Sequence, residues 1–125
     1  MIVGIGTDIA RIARIREAIE RHAGAFLSHI FTEEEQAEAD GRKSLEQYYA
    51  GRWAGKEALS KALGCGIGEK CLWLDINIMN NPDGQPQIFL SGKTAETAAK
   101  LSVKNIHISI SHEKKYACST VVLES

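Results

Sequence analysis

Halfway along its 125 residues this chain changes the period of its apolar residues, and that change restricts the fold more than any other feature. In the first half Ile12, Ile15 and Ile19, then Ala54, Ala58, Leu59, Ala62 and Leu63, recur at helical spacing, as expected of helices with one face in a core. In the second half Leu72, Leu74, Ile76 and Ile78 alternate with Trp73, Asp75, Asn77 and Met79, and Ile106, Ile108 and Ile110 alternate with polar residues. That is strand patterning with one face buried. Helices followed by mostly antiparallel strands make an α+β fold, with helices packed on a largely antiparallel sheet. At 44% apolar content and 125 residues, residues 1–125 suit one domain with a real core and leave no room for a second.

Local signals divide the chain further. Ile2, Val3 and Ile5 form a β-prone run closing at Gly6-Thr7-Asp8, a first strand that delivers a carboxylate at its edge. The helix predicted from Ile12 carries a basic side of Arg11, Arg14 and Arg21. Thr32 and Glu35 read as a capping box opening a short acidic helix that Gly41 breaks. Ser44 with Gln47 opens a longer helix, and Gly64 should end it. Asn80-Asn81-Pro82-Asp83-Gly84 is turn chemistry, Gln87 to Leu90 the returning strand, Thr94 to Leu101 a helix and Tyr116 to Leu123 the end of a hairpin.

Composition removes several classes of function. Fifteen basic and sixteen acidic side chains give a formal charge of −1, which supports neither a general nucleic-acid binder nor a membrane-surface protein. Cys65, Cys71 and Cys118 are odd in number and lack C-x-x-C spacing, so they read as buried, reduced thiols, without a disulfide framework or zinc knuckle. Met1 to Thr7 is too short for a signal sequence, and no apolar run reaches membrane-spanning length. A cytoplasmic protein is expected.

The chemistry sits on the long helix, where Trp53, Glu57 and Lys61 fall four residues apart along one face. An exposed Glu57–Lys61 pair is the commoner meaning of that spacing. Asp8 adds a second meaning, because a strand carboxylate and a helix carboxylate can converge on one hard cation that keeps waters and binds phosphate oxygens. Taken alone, Asp8 reads equally as a capping or turn residue.

Gly4-Ile5-Gly6-Thr7-Asp8-Ile9 and Arg52-Trp53-Ala54-Gly55-Lys56-Glu57-Ala58-Leu59-Ser60-Lys61-Ala62 resemble the two signatures of the phosphopantetheinyl transferases, with fitting separation. Phe31-Thr32-Glu33-Glu34-Glu35, Gly84-Gln85-Pro86, Leu90-Ser91-Gly92 and Tyr116-Ala117-Cys118 extend the resemblance over nearly the whole chain. The length is that of the short, stand-alone branch, which serves acyl carrier proteins in fatty acid biosynthesis. The resemblance implies transfer of the 4'-phosphopantetheine group from coenzyme A to a carrier serine, leaving adenosine 3',5'-bisphosphate.

It further implies magnesium held by Asp8 and Glu57, with Glu57 and Lys61 in catalysis, and the general base is either Glu57 or a magnesium-bound water. Arg52, Lys61 and His112 are implied near coenzyme phosphates and Gly84 near the adenine. The basic side of Arg11, Arg14 and Arg21, with Phe26 as an apolar anchor, is implied to hold an acidic carrier helix. The branch is trimeric, with sites between subunits. Manganese would suit the same ligands as magnesium.

Other features keep a plainer meaning. Gly64-Cys65-Gly66-Ile67-Gly68 lacks a phosphate-loop lysine and serine pattern and reads as a helix terminator. His22, His29 and His107 form no metal spacing. Trp53 stands where the family usually has phenylalanine, and Gly55 is either a close-packing position or a tolerated weakness of about 0.5–1 kcal/mol. A non-catalytic carrier-binding module and a coenzyme A hydrolase are the competing classes.

Overall fold

A computed structural model describes residues 1–125. Strand β1 (Ile2–Arg11) leads into α1 (Ile12–Ile30), α2 (Glu33–Ala39) and α3 (Leu45–Ala62). A single 3-10 turn (Trp73–Asp75) precedes β2 (Ile76–Asn80) and β3 (Pro86–Leu90); α4 (Gly92–Lys100), β4 (Asn105–His112) and β5 (Tyr116–Glu124) complete the chain. All pairings are antiparallel, in a sheet ordered β1-β5-β4 and a separate β2-β3 hairpin. The expected α+β class is found. No helix is long and apolar enough to cross a membrane.

Helix α3 is the centre of the fold, with twelve of its eighteen residues buried. The three-stranded sheet covers one side and the β2-β3 hairpin another, so the helix needs small residues around much of its circumference. The inner face of β1 is built to match. A methyl at Gly4 would stand 2.1 Å from the Ala62 carbonyl oxygen, and one at Gly6 only 2.0 Å from that of Ala58. Strand and helix therefore meet backbone to backbone, an approach that only glycine permits. Gly55, seven residues before Ala62 and so on nearly the same face, belongs to the same design where the sheet meets the hairpin: a methyl there would come within 2.7 Å of Ile78 Cδ1 and 3.1 Å of Ile108 Cδ1. Its role is close packing, against side-chain tips that could shift more easily than the backbone facing Gly6.

A buried ion pair ties the helices together. Lys56 Nζ lies 2.8 Å from Glu35 Oε1 with both side chains fully buried, and donates to the carbonyls of Ile30 and Trp73 at 2.7 and 3.0 Å. Glu35 also completes the capping box with Thr32 and accepts the Ile78 amide at 2.8 Å. Burial pulls the Lys56 ammonium below its usual proton affinity, and the Glu35 charge opposes that pull. One lysine thus joins the end of α1, the start of α2 and the turn before β2.

The structure departs from the pattern-based reading in three places. β1 continues past Asp8 to Arg11, so Asp8 lies within the strand, and Arg11 is its last residue and no part of the helix face. Leu72 and Leu74 are 43% and 49% exposed because the expected strand begins only at Ile76. Asp75 turns its side chain to the start of α4, accepting from the Thr94 amide and hydroxyl at 3.1 Å, and this holds residues 73–75 in a tight turn. Third, α1 kinks at Ala23, where φ is 41°, a conformation L residues adopt at a cost.

Gly6→Ala is expected to cost about 3 kcal/mol or more of unfolding free energy, against little change for Gly24→Ala, where the added methyl meets nothing within 4 Å; urea titration measures both. Lys56→Met should cost about 3–5 kcal/mol by stranding a buried carboxylate, and Lys56→Met with Glu35→Leu should recover part of that loss.

Candidate active site

On β1, Gly4, Gly6 and Asp8 share the inner face. Gly4 sits over Ala62 and Gly6 over Ala58, so the strand runs toward earlier turns of α3 and carries Asp8 to the face that bears Glu57 and Lys61. Lys61 Nζ lies 3.1 Å from Asp8 Oδ1 and 3.1 Å from the Thr7 carbonyl. The helical spacing suggested a Glu57–Lys61 surface pair; the lysine instead crosses to the strand. The second carboxylate oxygen, Asp8 Oδ2, is buried without a hydrogen-bond partner. Burial and the nearby Asp8 charge both raise the proton affinity of Glu57, with Lys61 opposing them.

Two converging carboxylates, one with an unpartnered oxygen, suit a hard divalent cation. The chain offers no third ligand, since no group of three His, Cys, Asp or Glu side chains is arranged for a metal. A cation here would complete its shell with water and phosphate oxygens. Asp8 and Glu57 line a groove of about 400 Å³ together with Arg14, Ile15, Phe26 and Trp53. Phe26 is half-buried, stacked on Trp53 at 6.2 Å and edge-on to Phe31 at 6.1 Å. Arg11, with its guanidinium 6.0 Å from the centre of the Tyr116 ring, borders the groove as well. Arg21 is exposed and does not line it.

A second cavity, of about 300 Å³, opens elsewhere and shares no lining residue with the groove. It gathers Arg52, Gly84 and His112, three of the four residues linked with the coenzyme from sequence, whereas Lys61 stays at the carboxylates. Gly84 lies in a turn at φ 86°. Arg42 and Lys43 also line the cavity; they escaped the sequence reading although the adjacent Arg42-Lys43 just before the Ser44 cap was a visible signal. Arg52 is almost buried, with Nη2 bonded to Glu38 Oε1 at 2.5 Å and to Asn80 Oδ1 at 2.9 Å.

The glycine-rich loop after α3 is a helix terminator. The Gly64 amide donates to Lys61, and the Cys65 and Gly66 amides to Ser60, at 3.0–3.3 Å. Of the three cysteines, all free thiols, only Cys71 is buried, its thiol pushed up to about 12 chiefly by burial. Cys65 and Cys118 are exposed, because Cys65 lies in that loop and Cys118 on the outer face of β5.

A strand-borne aspartate thus faces a helix-borne lysine and glutamate, with a basic cavity elsewhere on the chain. A family profile described as the 4'-phosphopantetheinyl transferase superfamily matches residues 4–121. The holo-[acyl-carrier-protein] synthase of Vibrio cholerae is 45% identical over 124 residues, covering 99% of this chain and 98% of its own. The crystal structure of the Neisseria meningitidis holo-[acyl-carrier-protein] synthase superimposes with a TM-score of 0.93 at 32% identity, covering both chains completely. That of the Bacillus anthracis enzyme, in complex with CoA (3',5'-ADP), has a TM-score of 0.84 at 41% identity, covering 100% of this chain and 98% of that one. The chain belongs to the holo-[acyl-carrier-protein] synthase family.

Glu57 has a stability signature. Its proton affinity is raised above the ordinary 4.5 in the folded state, so its contribution is full below that pH and is lost as pH rises through the folded value. Without divalent metal, Glu57→Gln should therefore be at least as stable as the parent at neutral pH, and the parent should lose ground relative to it between pH 4.5 and 7. Thermal unfolding of both proteins across that range checks the sign.

Proposed function

We propose that this protein transfers the 4'-phosphopantetheine group of coenzyme A to a serine of apo acyl carrier protein, giving the holo carrier and adenosine 3',5'-bisphosphate for fatty acid biosynthesis. The observation that carries this reading is the Asp8–Glu57–Lys61 constellation, with its unpartnered buried carboxylate oxygen, at the head of a groove. Asp8 and Glu57 would hold magnesium, which when bound neutralises charge on the pyrophosphate oxygens. Lys61 brings an ammonium to the same face, where it stabilises the phosphate under attack. The serine's proton would go to Glu57 or to a water held by the magnesium. Arg52, His112 and the turn at Gly84 would receive the nucleotide end of the coenzyme in the second cavity.

Arg14, at the groove, and the exposed Arg11 and Arg21 offer cations to an acidic carrier helix, with Phe26 as an apolar contact. Such docking weakens with salt, because exposed charges are screened over about 10 Å at moderate ionic strength.

A homotrimer with the site shared between subunits is part of the proposal. Its support is twofold: Ile5 and Ile9 on the outer face of β1 are each 67% exposed, and the two cavities share no lining residue. A neighbouring subunit would cover the apolar strand face and bring one chain's carboxylates to another chain's basic cavity. The cytoplasm is the proposed place of action.

Intact-mass spectrometry of apo acyl carrier protein incubated with this protein, coenzyme A and magnesium should show a gain of one phosphopantetheine, absent when a chelator is added. Cleavage of coenzyme A without carrier modification would replace the reading with a hydrolase, and no reaction at all would replace it with a carrier-binding module. Glu57→Gln should abolish turnover while folding normally, and Arg14→Glu should weaken carrier binding, measured by titration calorimetry, while coenzyme binding persists. Ile9→Glu should shift the sedimentation coefficient from that of a trimer to that of a monomer.

A further inference from the structure

Glu38 takes no part in the chemistry above, yet four groups converge on it. Its Oε1 accepts from Arg52 Nη2 and from the Tyr48 hydroxyl at 3.0 Å and lies 3.7 Å from Arg42 Nη2, while Oε2 accepts the Asn80 amide at 3.1 Å. The Tyr48 ring lies beside both guanidiniums, at 4.5 Å from Arg52 Cζ and 5.2 Å from Arg42 Cζ. Arg52 gives Nε to the Ile78 carbonyl and Nη2 to Glu38 and Asn80, which leaves Nη1 as its nitrogen without a protein partner. A guanidinium fixed through two of its nitrogens presents the donors of the third in a set direction, as a charge-assisted hydrogen bond to a phosphate oxygen requires.

The charges around this cavity also match one chemical group. Arg42, Lys43 and Arg52 line it, and with Glu38 beneath them two positive charges remain uncompensated. A phosphate monoester carries about −1.5 to −2 near neutral pH. Coenzyme A bears one such group, on its ribose, and dephospho-coenzyme A lacks it.

We infer that Glu38 and Tyr48 are positioning residues, holding Arg52 and Arg42 so that their free donors select the ribose phosphate monoester of coenzyme A. The inference rests on the transferase reading. Glu38 acts through the arginines and touches no substrate. Its work appears in coenzyme selection and in KM, because the arginines would hold the ribose phosphate, which takes no part in the bond changes.

The test is steady-state transfer to apo acyl carrier protein with coenzyme A and with dephospho-coenzyme A, for the parent, Glu38→Gln, Glu38→Asp and Tyr48→Phe. The parent should prefer coenzyme A. Glu38→Gln should lower that preference in kcat/KM about tenfold, mainly through KM for coenzyme A, and Tyr48→Phe should lower it about threefold. Glu38→Asp should restore part of the loss. A fall of equal size for both coenzymes would show a role in folding alone and overturn the inference. Tyr48→Phe, which keeps the ring under both arginines, decides the matter if Glu38→Gln does not fold. A parent that uses both coenzymes equally well sinks the inference and spares the transferase reading, whereas a parent that uses neither removes both.

Discussion

Between β1 and α3 no side chain intervenes: the strand backbone rests on the helix backbone at Gly4 and Gly6. The position of Asp8 relative to Glu57 and Lys61 depends on that contact. Asp8 is the next inward residue of the same strand, so the distance that sets Gly6 against Ala58 also sets Asp8 against the face carrying Glu57 and Lys61. A methyl inserted there would have to lift the strand or bend the helix, and in either case the 3.1 Å approach of Lys61 to Asp8 would open. The two glycines of the first signature therefore act on the chemistry through spacing.

On its far side α3 is held by another kind of force. Glu35 and Lys56 meet directly and fully buried, and each has further polar partners that satisfy it. Such a pair adds little net stability relative to a well-packed apolar pair, but it admits few alternatives, because any other register of α2 on α3 leaves a charge alone in the interior. The helix is thus fixed by close packing on one side and by charge pairing on the other. The aromatic series Phe31, Phe26, Trp53 and Trp73 fills the space beside the groove, with the Trp53 and Trp73 rings 4.7 Å apart.

Much of this was legible because it follows local rules. The capping box at Thr32 and Glu35, the Ser44 cap and the glycine stop at Gly64 each depend on residues within a few positions, and all three are present. Alternation at Ile106, Ile108 and Ile110 found β4 for the same reason. The period failed at Leu72 and Leu74, where a side-chain bond from Asp75 to Thr94, nineteen residues away, outweighed strand patterning. Glu35 looked like a surface cap and is an interior anion, since its partner Lys56 lies twenty-one residues further on and nothing nearby announces it. Within the site, the resemblance named Asp8, Glu57 and Lys61 together, whereas Glu38 and Tyr48 were silent: an ordinary acidic helix residue and an aromatic core residue acquire meaning only beside Arg52.

The partner of β1 lies at the other end of the chain. Asp8 pairs across to Ser119, Ile2 to Glu124, and the Ser125 amide closes on the Met1 carbonyl. During synthesis, then, Asp8, Glu57 and Lys61 are all made before the strand that anchors β1 exists. A ribosome-bound chain lacking its last segment carries every residue of the groove, yet β1, whose only strand neighbour is β5, has nothing to pair with. Long-range pairing of this kind is slow and leaves apolar strands exposed in the interim. Loss of β5 would spare Asp8, Glu57 and Lys61 and still remove the frame that brings them together.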